Sequence, residues 1–493
     1  MKIIFLKFTD HNLIEVNSNF FSKHKELMEK FFSSRRKTII MRKYFGTNGI
    51  RGVVGELITP DFVIKMTSAI ATIFKRGPIV VGRDARLSSP FIKNAVLSSI
   101  LASGIEVIDI GVVPTPLTQF AVKHLNAEAG IMITASHNPP EFNGIKVIDK
   151  DGVEIDIKKQ LEIERVYKTV RYNYTTWEKT KDVTKINLIS DYIERIISFV
   201  DQEKIRKAKL KVVVDAGNGV GAIVTPYLLQ KLGIKVITLN AHLDGSFPGR
   251  GSEPIPEKLT LMANATIEWG ANFSIAHDGD ADRAIFGDEK GQVYYGDKSI
   301  ALFEKWLLKE KKSPFVTPVS SSMVVEKIAN ELGIKVVWTP VGCIYVSRKM
   351  MEIKSMLGGE ENGGLFYAPH QPVRDGAMAA ALMAEMIAMT GKQLGELIEE
   401  LPKYYQFKDK VKCENEIKEK VMENVKSTVK EAKETIDIDG VKAVFEDGWV
   451  LIRPSGTEPI IRIFVEAKTK QRAKELIEKG KNLVKQNVTK WKK

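Results

Sequence analysis

Three carboxylates at alternate positions, Asp278, Asp280 and Asp282, follow a short apolar run that ends in His277. On an extended or curved loop this spacing turns all three to one side. Hard oxygen donors of this kind suit Mg2+ or another oxophilic divalent cation, which keeps its other positions for water or a phosphoryl oxygen. A calcium EF-hand, with Glu289 at the twelfth loop position, fails at the sixth, where Arg283 stands in place of the required glycine, and its flanks read as strands. A merely polar loop would leave three like charges uncompensated.

A second reactive group is a hydroxyl. The buried-strand run Ile131-Met132-Ile133 stops at Thr134-Ala135-Ser136-His137-Asn138-Pro139, and Pro139 cannot continue a ladder. Ser136 therefore sits on a strand-end loop, where open α/β sheets bind ligands, and is a candidate nucleophile or phosphate carrier; the alternative is a capped polar turn. Arg453-Pro454-Ser455-Gly456-Thr457-Glu458-Pro459 brings a guanidinium, two hydroxyls and backbone N–H groups around a glycine, the makings of an oxyanion cradle. Lys146, Arg83 and Arg51 lie on or near other strand-end loops and add positive charge. Gly358-Gly359-Glu360-Glu361-Asn362-Gly363-Gly364 offers carboxylate and amide groups to sugar hydroxyls on a backbone that a ligand can approach. Gly217-Asn218-Gly219-Val220-Gly221-Ala222 nominally fits a dinucleotide turn, but Asp244 comes too late to read a ribose, so a structural turn is expected. A serine, a carboxylate trio, a polyol-reading loop and a phosphate cradle together describe phosphoryl transfer to a sugar.

The elements that position these groups alternate. A glycine-rich loop at 45–52 precedes a helical pattern over 59–74, a strand at 79–84, a helix over 89–103, a strand at 106–110 and the strand that ends before Ser136. A strand at 211–215, a helix over 222–232 and strands at 234–239 and 273–276 repeat the rhythm, and a third block runs from about 296 to a helix over 378–390. Such alternation indicates βαβ units around parallel or mixed sheets, and three similar blocks suggest a repeat at domain scale. After Leu401-Pro402 the pattern changes to an αβ mixture that ends in a basic helix. At 493 residues the chain is too long for one core.

The net charge of +13 invites a nucleic-acid reading, yet residues 1–43 carry +6 and residues 468–493 carry +8, which leaves the body at −1. Basic ends on a neutral body argue against specific nucleic-acid binding. No apolar run approaches the roughly 18 residues a membrane span needs, and the opening MKIIFLKFTD is not expected to be a secretory signal. Two distant cysteines, Cys343 and Cys413, fit a reducing cytoplasm. Residues 1–43 lack a sustained period, and Met41, just before the first motif, is a candidate alternative start.

FGTNGIRG, TASHNPPEFNGIK, DGDADR, GEENGG and RPSGTEP occur in this order, and over residues 44–485 the chain resembles the α-D-phosphohexomutases. It looks most like the archaeal-type phosphomannomutase/phosphoglucomutase branch, with the phosphoglucosamine mutases close by. The resemblance implies a heart-shaped α/β protein: an extension at 1–43, three similar mixed-sheet domains at 44–187, 188–293 and 294–398, and a TATA-binding-protein-like α+β domain at 399–493. It implies interconversion of hexose 1-phosphate and hexose 6-phosphate, of mannose or glucose, with glucosamine phosphate or pentose phosphate as the alternative substrate. Ser136 would be the phosphoserine, and Asp278, Asp280, Asp282 and a phosphoserine oxygen would hold Mg2+. Lys146 would be the general acid/base, and Arg51 and Arg283 would lie near the phosphoserine. Gly342, Glu360 and Asn362 would contact the sugar, and Arg453, Ser455, Gly456 and Thr457 would clamp the non-reacting phosphate. Hexose 1,6-bisphosphate would be intermediate and activator. The implied protein is cytoplasmic, a monomer or homodimer that binds a phosphosugar and neither a membrane nor a specific nucleic acid. Many family members end the sugar motif in histidine, where this chain has Gly364. That role would pass to Lys146, His137 or His370, Lys146 being favoured, or be dispensable. A phosphatase, which would release phosphate in place of isomerising, is the rival enzyme class.

Overall fold

Runs of β-branched residues closed by Gly, Pro or Asn become strands buried on both faces, and amphipathic runs that begin at Ser, Thr or Asp become the helices that cover them. The computed structural model of the protein describes residues 4–7, 13–16, 42–428, 432–455 and 458–491. The chain divides into two units, Met1–Lys43 and Tyr44–Lys493. In the first, β1 (Ile4–Lys7) and β2 (Leu13–Val16) pair antiparallel, and Met41 lies outside the described residues.

Among the described residues, the second unit has four sheets. The first holds β3 (Phe45–Gly46), β4 (Gly49–Val53), β5 (Ile79–Arg83), β6 (Val107–Val112), β7 (Ala129–Ile133), β8 (Phe142–Asp149) and β9 (Val183–Lys185) in the order β3-β4-β8-β7-β5-β6-β9. The second holds β10 (Lys211–Asp215), β11 (Lys235–Leu239), β12 (Phe273–His277) and β13 (Ala284–Asp288) in the order β11-β10-β12-β13. The third holds β14 (Phe315–Pro318), β15 (Val336–Thr339), β16 (Leu357–Glu360), β17 (Gly364–Tyr367) and β18 (Gln371–Arg374) in the order β15-β14-β16-β17-β18.

One pattern recurs in all three. The strands β5, β10 and β14 each pair parallel with the next strand on one side and with the one after on the other. The latter, β7, β12 or β16, turns back through a hairpin into an antiparallel neighbour, β8, β13 or β17. The hairpin turns are residues 134–141, 278–283 and 361–363, so the serine, the acidic trio and the sugar-reading loop occupy the same place in three copies of one topology.

The copies share a core. Helix Gly376–Thr390 is apolar on every side, as expected of a helix buried all round, and its alanines let neighbours approach closely. It packs on helices Gln202–Ala208, Thr225–Lys231, Ile189–Ile197 and Gly296–Leu307. Asp375 caps it by accepting from Met378 N–H at 3.0 Å, and the Tyr192 hydroxyl donates to the same carboxylate at 2.6 Å.

The fourth sheet is all antiparallel, with β19 (Tyr405–Lys412), β20 (Glu434–Ile436), β21 (Val441–Val444), β22 (Gly448–Pro454) and β23 (Ile460–Ala467) in the order β19-β23-β22-β21-β20. Helices Lys418–Thr428 and Lys470–Trp491 close a separate core over it, which bears out the α+β character expected there. No helix among the described residues is long and apolar enough to cross a membrane.

Two local expectations change. The glycine-rich stretch at 45–52 is a tight hairpin, β3-β4, made possible by Gly49 at φ +77°. The helix expected over 222–232 is a 3-10 turn, Val220–Ile223, followed by helix Thr225–Lys231, because Pro226 belongs in a first helical turn.

Glu304, on helix Gly296–Leu307, is fully buried with both carboxyl oxygens unpartnered among the described residues, and burial pushes its pKa up to about 9. A carboxyl raised in the folded state costs nothing below its ordinary pKa and costs progressively more as pH rises toward 9. Glu304→Met should therefore stabilise the protein by up to about 4 kcal/mol more at pH 8 than at pH 5. Thermal unfolding at the two pH values checks this, and equal gains at both would count against a neutral buried carboxyl.

Candidate active site

The serine loop is held from below by an arginine. Arg86 is fully buried: its Nε donates to Asp84 at 3.1 Å, and its other nitrogens donate to the carbonyls of Ser136 at 2.8 Å, Asn138 at 2.6 Å, Pro139 at 2.6 Å and Phe142 at 2.9 Å. A guanidinium presents its donors in a fixed fork, so five acceptors around one plane define the path of the loop. Ser136 takes a left-handed φ of 53°, unusual for a non-glycine residue and typical of strained functional turns. Its N–H donates to Thr134 Oγ1 at 2.8 Å, and its Oγ donates to Asp278 Oδ2 at 2.9 Å.

The acidic loop comes from the second sheet. Asp278, Asp280 and Asp282 are buried, and each offers an oxygen within 4.8 Å of the others. The Gly217–Gly221 turn braces this loop: Val220 N–H donates to the Gly279 carbonyl at 3.3 Å, and a side chain on Gly219 would meet that carbonyl at 2.8 Å. This is the structural use expected of that turn. Gly279 in turn has no room for a side chain, whose Cβ would stand 2.6 Å from the Ser136 carbonyl.

Three cations surround the trio. Lys146, fully buried on β8, donates to Asp280 Oδ2 at 2.7 Å and to Asp282 Oδ2 at 3.1 Å. Arg283 Nε stands 3.7 Å from Asp278 and 3.9 Å from Asp282. Arg374, at the end of β18, donates to Asp282 Oδ2 at 2.5 Å and to Glu360 Oε2 at 3.1 Å. Thr115 Oγ1 adds a 2.5 Å hydrogen bond to Asp280. Burial, reinforced by Asp282 and Asp280, pushes the pKa of Asp278 well above the ordinary carboxylate range. Burial also disfavours charge on Asp280, but the Lys146 ammonium outweighs it and holds that carboxyl well below the range. For Lys146 the balance runs the same way: burial opposes its charge, Asp280 and Asp282 outweigh burial, and the amine is an ammonium in this arrangement.

Two features of the donor set fit Mg2+. The three carboxylates supply hard oxygens converging on one volume, and Asp280 Oδ1 and Asp282 Oδ1 are buried without a hydrogen-bond partner among the described residues. Buried anionic oxygens left unpaired next to a serine hydroxyl are what a divalent cation satisfies.

Of the residues expected from sequence, Ser136, Lys146, Asp278, Asp280, Asp282, Arg283 and Glu360 come together here. Arg51 joins them from β4, donating to Asn138 Oδ1 at 3.0 Å. Asn362 accepts from Gly364 N–H at 3.1 Å and so closes its own hairpin turn. Gly342 has φ 136° and packs on Thr47, where a side chain would stand 2.9 Å from its Cβ. Arg453 pairs with Asp439 at 2.9 Å, and the same carboxylate accepts from Val341 N–H at 3.0 Å, which ties the phosphate cradle to the loop of Gly342. Ser455 accepts from Glu458 N–H at 3.2 Å; Gly456 and Thr457 lie outside the described residues.

The histidines divide. His370 is buried against Asp375 at 3.1 Å, beneath helix Gly376–Thr390, and stitches packing instead of facing the serine. His137 does not point away from its neighbour, as adjacent loop residues often do: Nδ1 stands 3.4 Å from Ser136 Oγ. The positive charge of Arg283, with burial and Arg51, keeps this imidazole neutral. Sequence reasoning missed Arg86 and Arg374. It credited Arg83, whose NH1 donates to the Asp84 carbonyl at 3.1 Å, and Arg86 stands three residues on. The signal for Arg374 was its place at a strand end, just before a helix, in the block that also carries Glu360.

Four profiles of the phosphoglucomutase/phosphomannomutase family match in order: α/β/α domain I over residues 42–173, domain II over 190–291, domain III over 295–405 and the C-terminal domain over 410–480. The chain belongs to this family. It is thereby an enzyme of the isomerase type that moves a phosphoryl group. It is similar to a phosphoglucomutase/phosphomannomutase of Thermococcus kodakarensis, 43% identical over 450 residues, 90% of this chain and 99% of that protein. It is also similar to a phosphoglucosamine/phosphogalactosamine mutase of Sulfurisphaera tokodaii, 44% identical over 455 residues, again 90% and 99% of the two chains. Among solved structures, a phosphoglucomutase/phosphomannomutase family protein of Burkholderia thailandensis superposes with a TM-score of 0.80 at 25% identity, covering 90% of this chain and 98% of that one.

The dependence of the serine loop on Arg86 gives a direct expectation. Arg86→Ala leaves Asp84 as a buried charge without its partner, a change that costs about 3–5 kcal/mol. The thermal midpoint should fall accordingly, and an unchanged midpoint would show that the guanidinium does not hold the loop.

Proposed function

We propose that the protein interconverts hexose 1-phosphate and hexose 6-phosphate, of mannose or glucose, with Ser136 as the phosphoryl carrier. The observation that carries this reading is the Ser136 hydroxyl, 2.9 Å from a buried carboxylate trio that a single arginine, Arg374, joins to the sugar-side Glu360. A serine that a bound cation would contact and a carboxylate suited to accept a sugar hydroxyl thereby stand in one constellation. We take the domains to be 44–187, 188–293, 294–398 and 399–493, following the four sheets, with 1–43 as an extension. Two cysteines far apart in sequence, Cys343 and Cys413, are in keeping with a reducing, cytoplasmic setting, and we take the protein to act as a monomer or homodimer.

In the proposed cycle the resting enzyme carries phosphate on Ser136. Mg2+ held by Asp278, Asp280, Asp282 and a phosphoserine oxygen would supply positive charge to the transferring group. Arg51 and Arg283 add fixed charge on the serine side. Glu360 and Asn362, with the loop of Gly342, receive the sugar, and Arg453, Ser455, Gly456 and Thr457 hold the phosphate that does not react. The sugar hydroxyl takes the phosphoryl group from Ser136, and its proton passes to a base while Ser136 Oγ regains one. The hexose 1,6-bisphosphate then turns and returns its other phosphate to Ser136. Lys146 remains the acid/base candidate. Held as an ammonium by Asp280 and Asp282, it enters the cycle as a proton donor, and it can serve as a base only when those carboxylates are engaged elsewhere.

A second reading, isomerisation of glucosamine phosphate on the same machinery, is favoured by the Sulfurisphaera relative at 44% identity. Assays on mannose, glucose, glucosamine and ribose phosphates, each followed for movement of phosphate between the two ends of the sugar, separate the substrates. Release of inorganic phosphate equal to substrate consumed would identify a phosphatase and sink the mutase reading. Ser136→Ala should lose both turnover and the covalently bound phosphate found by intact mass, whereas Asp280→Ala should lose turnover and can still carry phosphate. Chelation with EDTA should abolish activity and added Mg2+ restore it; a fully active serine variant would rule the mechanism out.

A further inference from the structure

The sugar-side carboxylate does not stand alone. Arg374 NH1 donates to Glu360 Oε2 at 3.1 Å, its NH2 donates to Asp282 Oδ2 at 2.5 Å, and Asn48, with its side-chain oxygen turned to the guanidinium groups, accepts from Arg374 at 2.6 Å and from Arg51 at 3.1 Å. One buried guanidinium thus reaches a residue from each of the three α/β sheets or their loops: Asn48 between β3 and β4, Asp282 after β12, and Glu360 on β16. Gly364 is the neighbour that allows it. Its backbone does not lie in the left-handed region, so conformational freedom does not explain a glycine there. Space does: a Cβ would meet Arg374 Cδ at 2.4 Å and Cγ at 2.9 Å. A flexible side chain can often swing aside, but this one is pinned at its far end by Glu360, Asp282 and Asn48.

We propose that Arg374 is a positioning residue of the sugar side. Its fork orients Glu360 so that Oε1 faces a ring hydroxyl, and registers that carboxylate against Asp282. Gly364 is glycine because the arginine stem passes through the space of a side chain. The inference deepens the mutase reading and rests on it. The chemistry favours arginine: Glu360 and Asp282 are two separate acceptors, and a planar guanidinium bridges them with one rigid group, whereas an ammonium is a point charge on a flexible stem. Arg374 uses Oε2 of Glu360 and leaves Oε1 without a hydrogen-bond partner among the described residues. A carboxylate fixed through one oxygen accepts a sugar hydroxyl through the other. Burial raises the pKa of Glu360, and the neighbouring guanidinium opposes that rise.

The test is a double-mutant cycle of Glu360→Gln and Arg374→Lys, read on turnover and on calorimetric binding of glucose 6-phosphate and mannose 6-phosphate. Misplacing a group that orients substrate by about 1 Å costs about 10²-fold, so each single variant should lose on that order in kcat/KM, with a clear rise in KM. Two residues that act as a unit should not multiply their losses, and the double variant should lie within about threefold of the worse single one. Mn2+ affinity of Arg374→Lys, measured on the protein without sugar, should stay within about threefold of wild type, because the charge beside Asp282 is kept. Gly364→Ala should reproduce the Arg374→Lys phenotype, and Gly364→Ala/Arg374→Ala should be no worse than Arg374→Ala, since the steric conflict is gone. Multiplied losses, a wild-type Gly364→Ala, or a loss of Mn2+ affinity as large as the loss of turnover would each overturn the proposal. A wild type that binds the hexose phosphates and isomerises none of them would overturn the mutase reading instead, and the binding cycle would still decide the role of Arg374.

Discussion

Three carboxylates buried within 4.8 Å of one another are the constraint from which the rest of the site follows. Removing like charges from water at that separation is costly unless cations accompany them, and the chain brings Lys146, Arg283 and Arg374 to the trio from three different sheets or their loops. Each cation lies in, or on a strand shortly after, a loop that carries another candidate group. Lys146 is on the strand after the serine loop, Arg283 follows the trio itself, and Arg374 ends the strand after the sugar-reading hairpin. Charge compensation therefore positions the chemistry, because the groups that neutralise the trio cannot reach it without bringing the serine and Glu360 with them.

Much of this could be read from residues alone. Strand-end placement identified Ser136, alternate spacing identified the trio, and the change of pattern after Leu401-Pro402 identified a different final sheet. These features are local, set by runs of a few residues whose periodicity and breakers survive any tertiary context. Partnerships across long distances in sequence were not legible. Nothing near Asp282 announces Arg374, ninety-two positions later, and nothing near Ser136 announces that Arg86 cradles its loop. The same limit explains His137 and His370. Adjacency made one look incidental and isolation made the other look available, while the fold turns the first toward the serine and fastens the second to Asp375.

Gly364 illustrates the point in reverse. In the sequence it is the place where a histidine is missing, and the natural question is which group replaces that side chain. The structure changes the question, because the volume over Gly364 is filled by the stem of Arg374. Absence at one position and presence at another are a single packing solution, and only their contact reveals it.

The hairpin that recurs in the three α/β sheets separates tasks that a single loop would have to combine. On the proposed reading, one copy carries the nucleophile, one the carboxylates suited to a cation and one the groups that would contact the sugar. Insertions or substitutions in the third copy can alter which ring is welcomed without disturbing the atoms that handle phosphate, since those atoms belong to other copies. With the work divided in this way, a change of sugar would call for edits to one turn and leave the chemistry of phosphate to the other two.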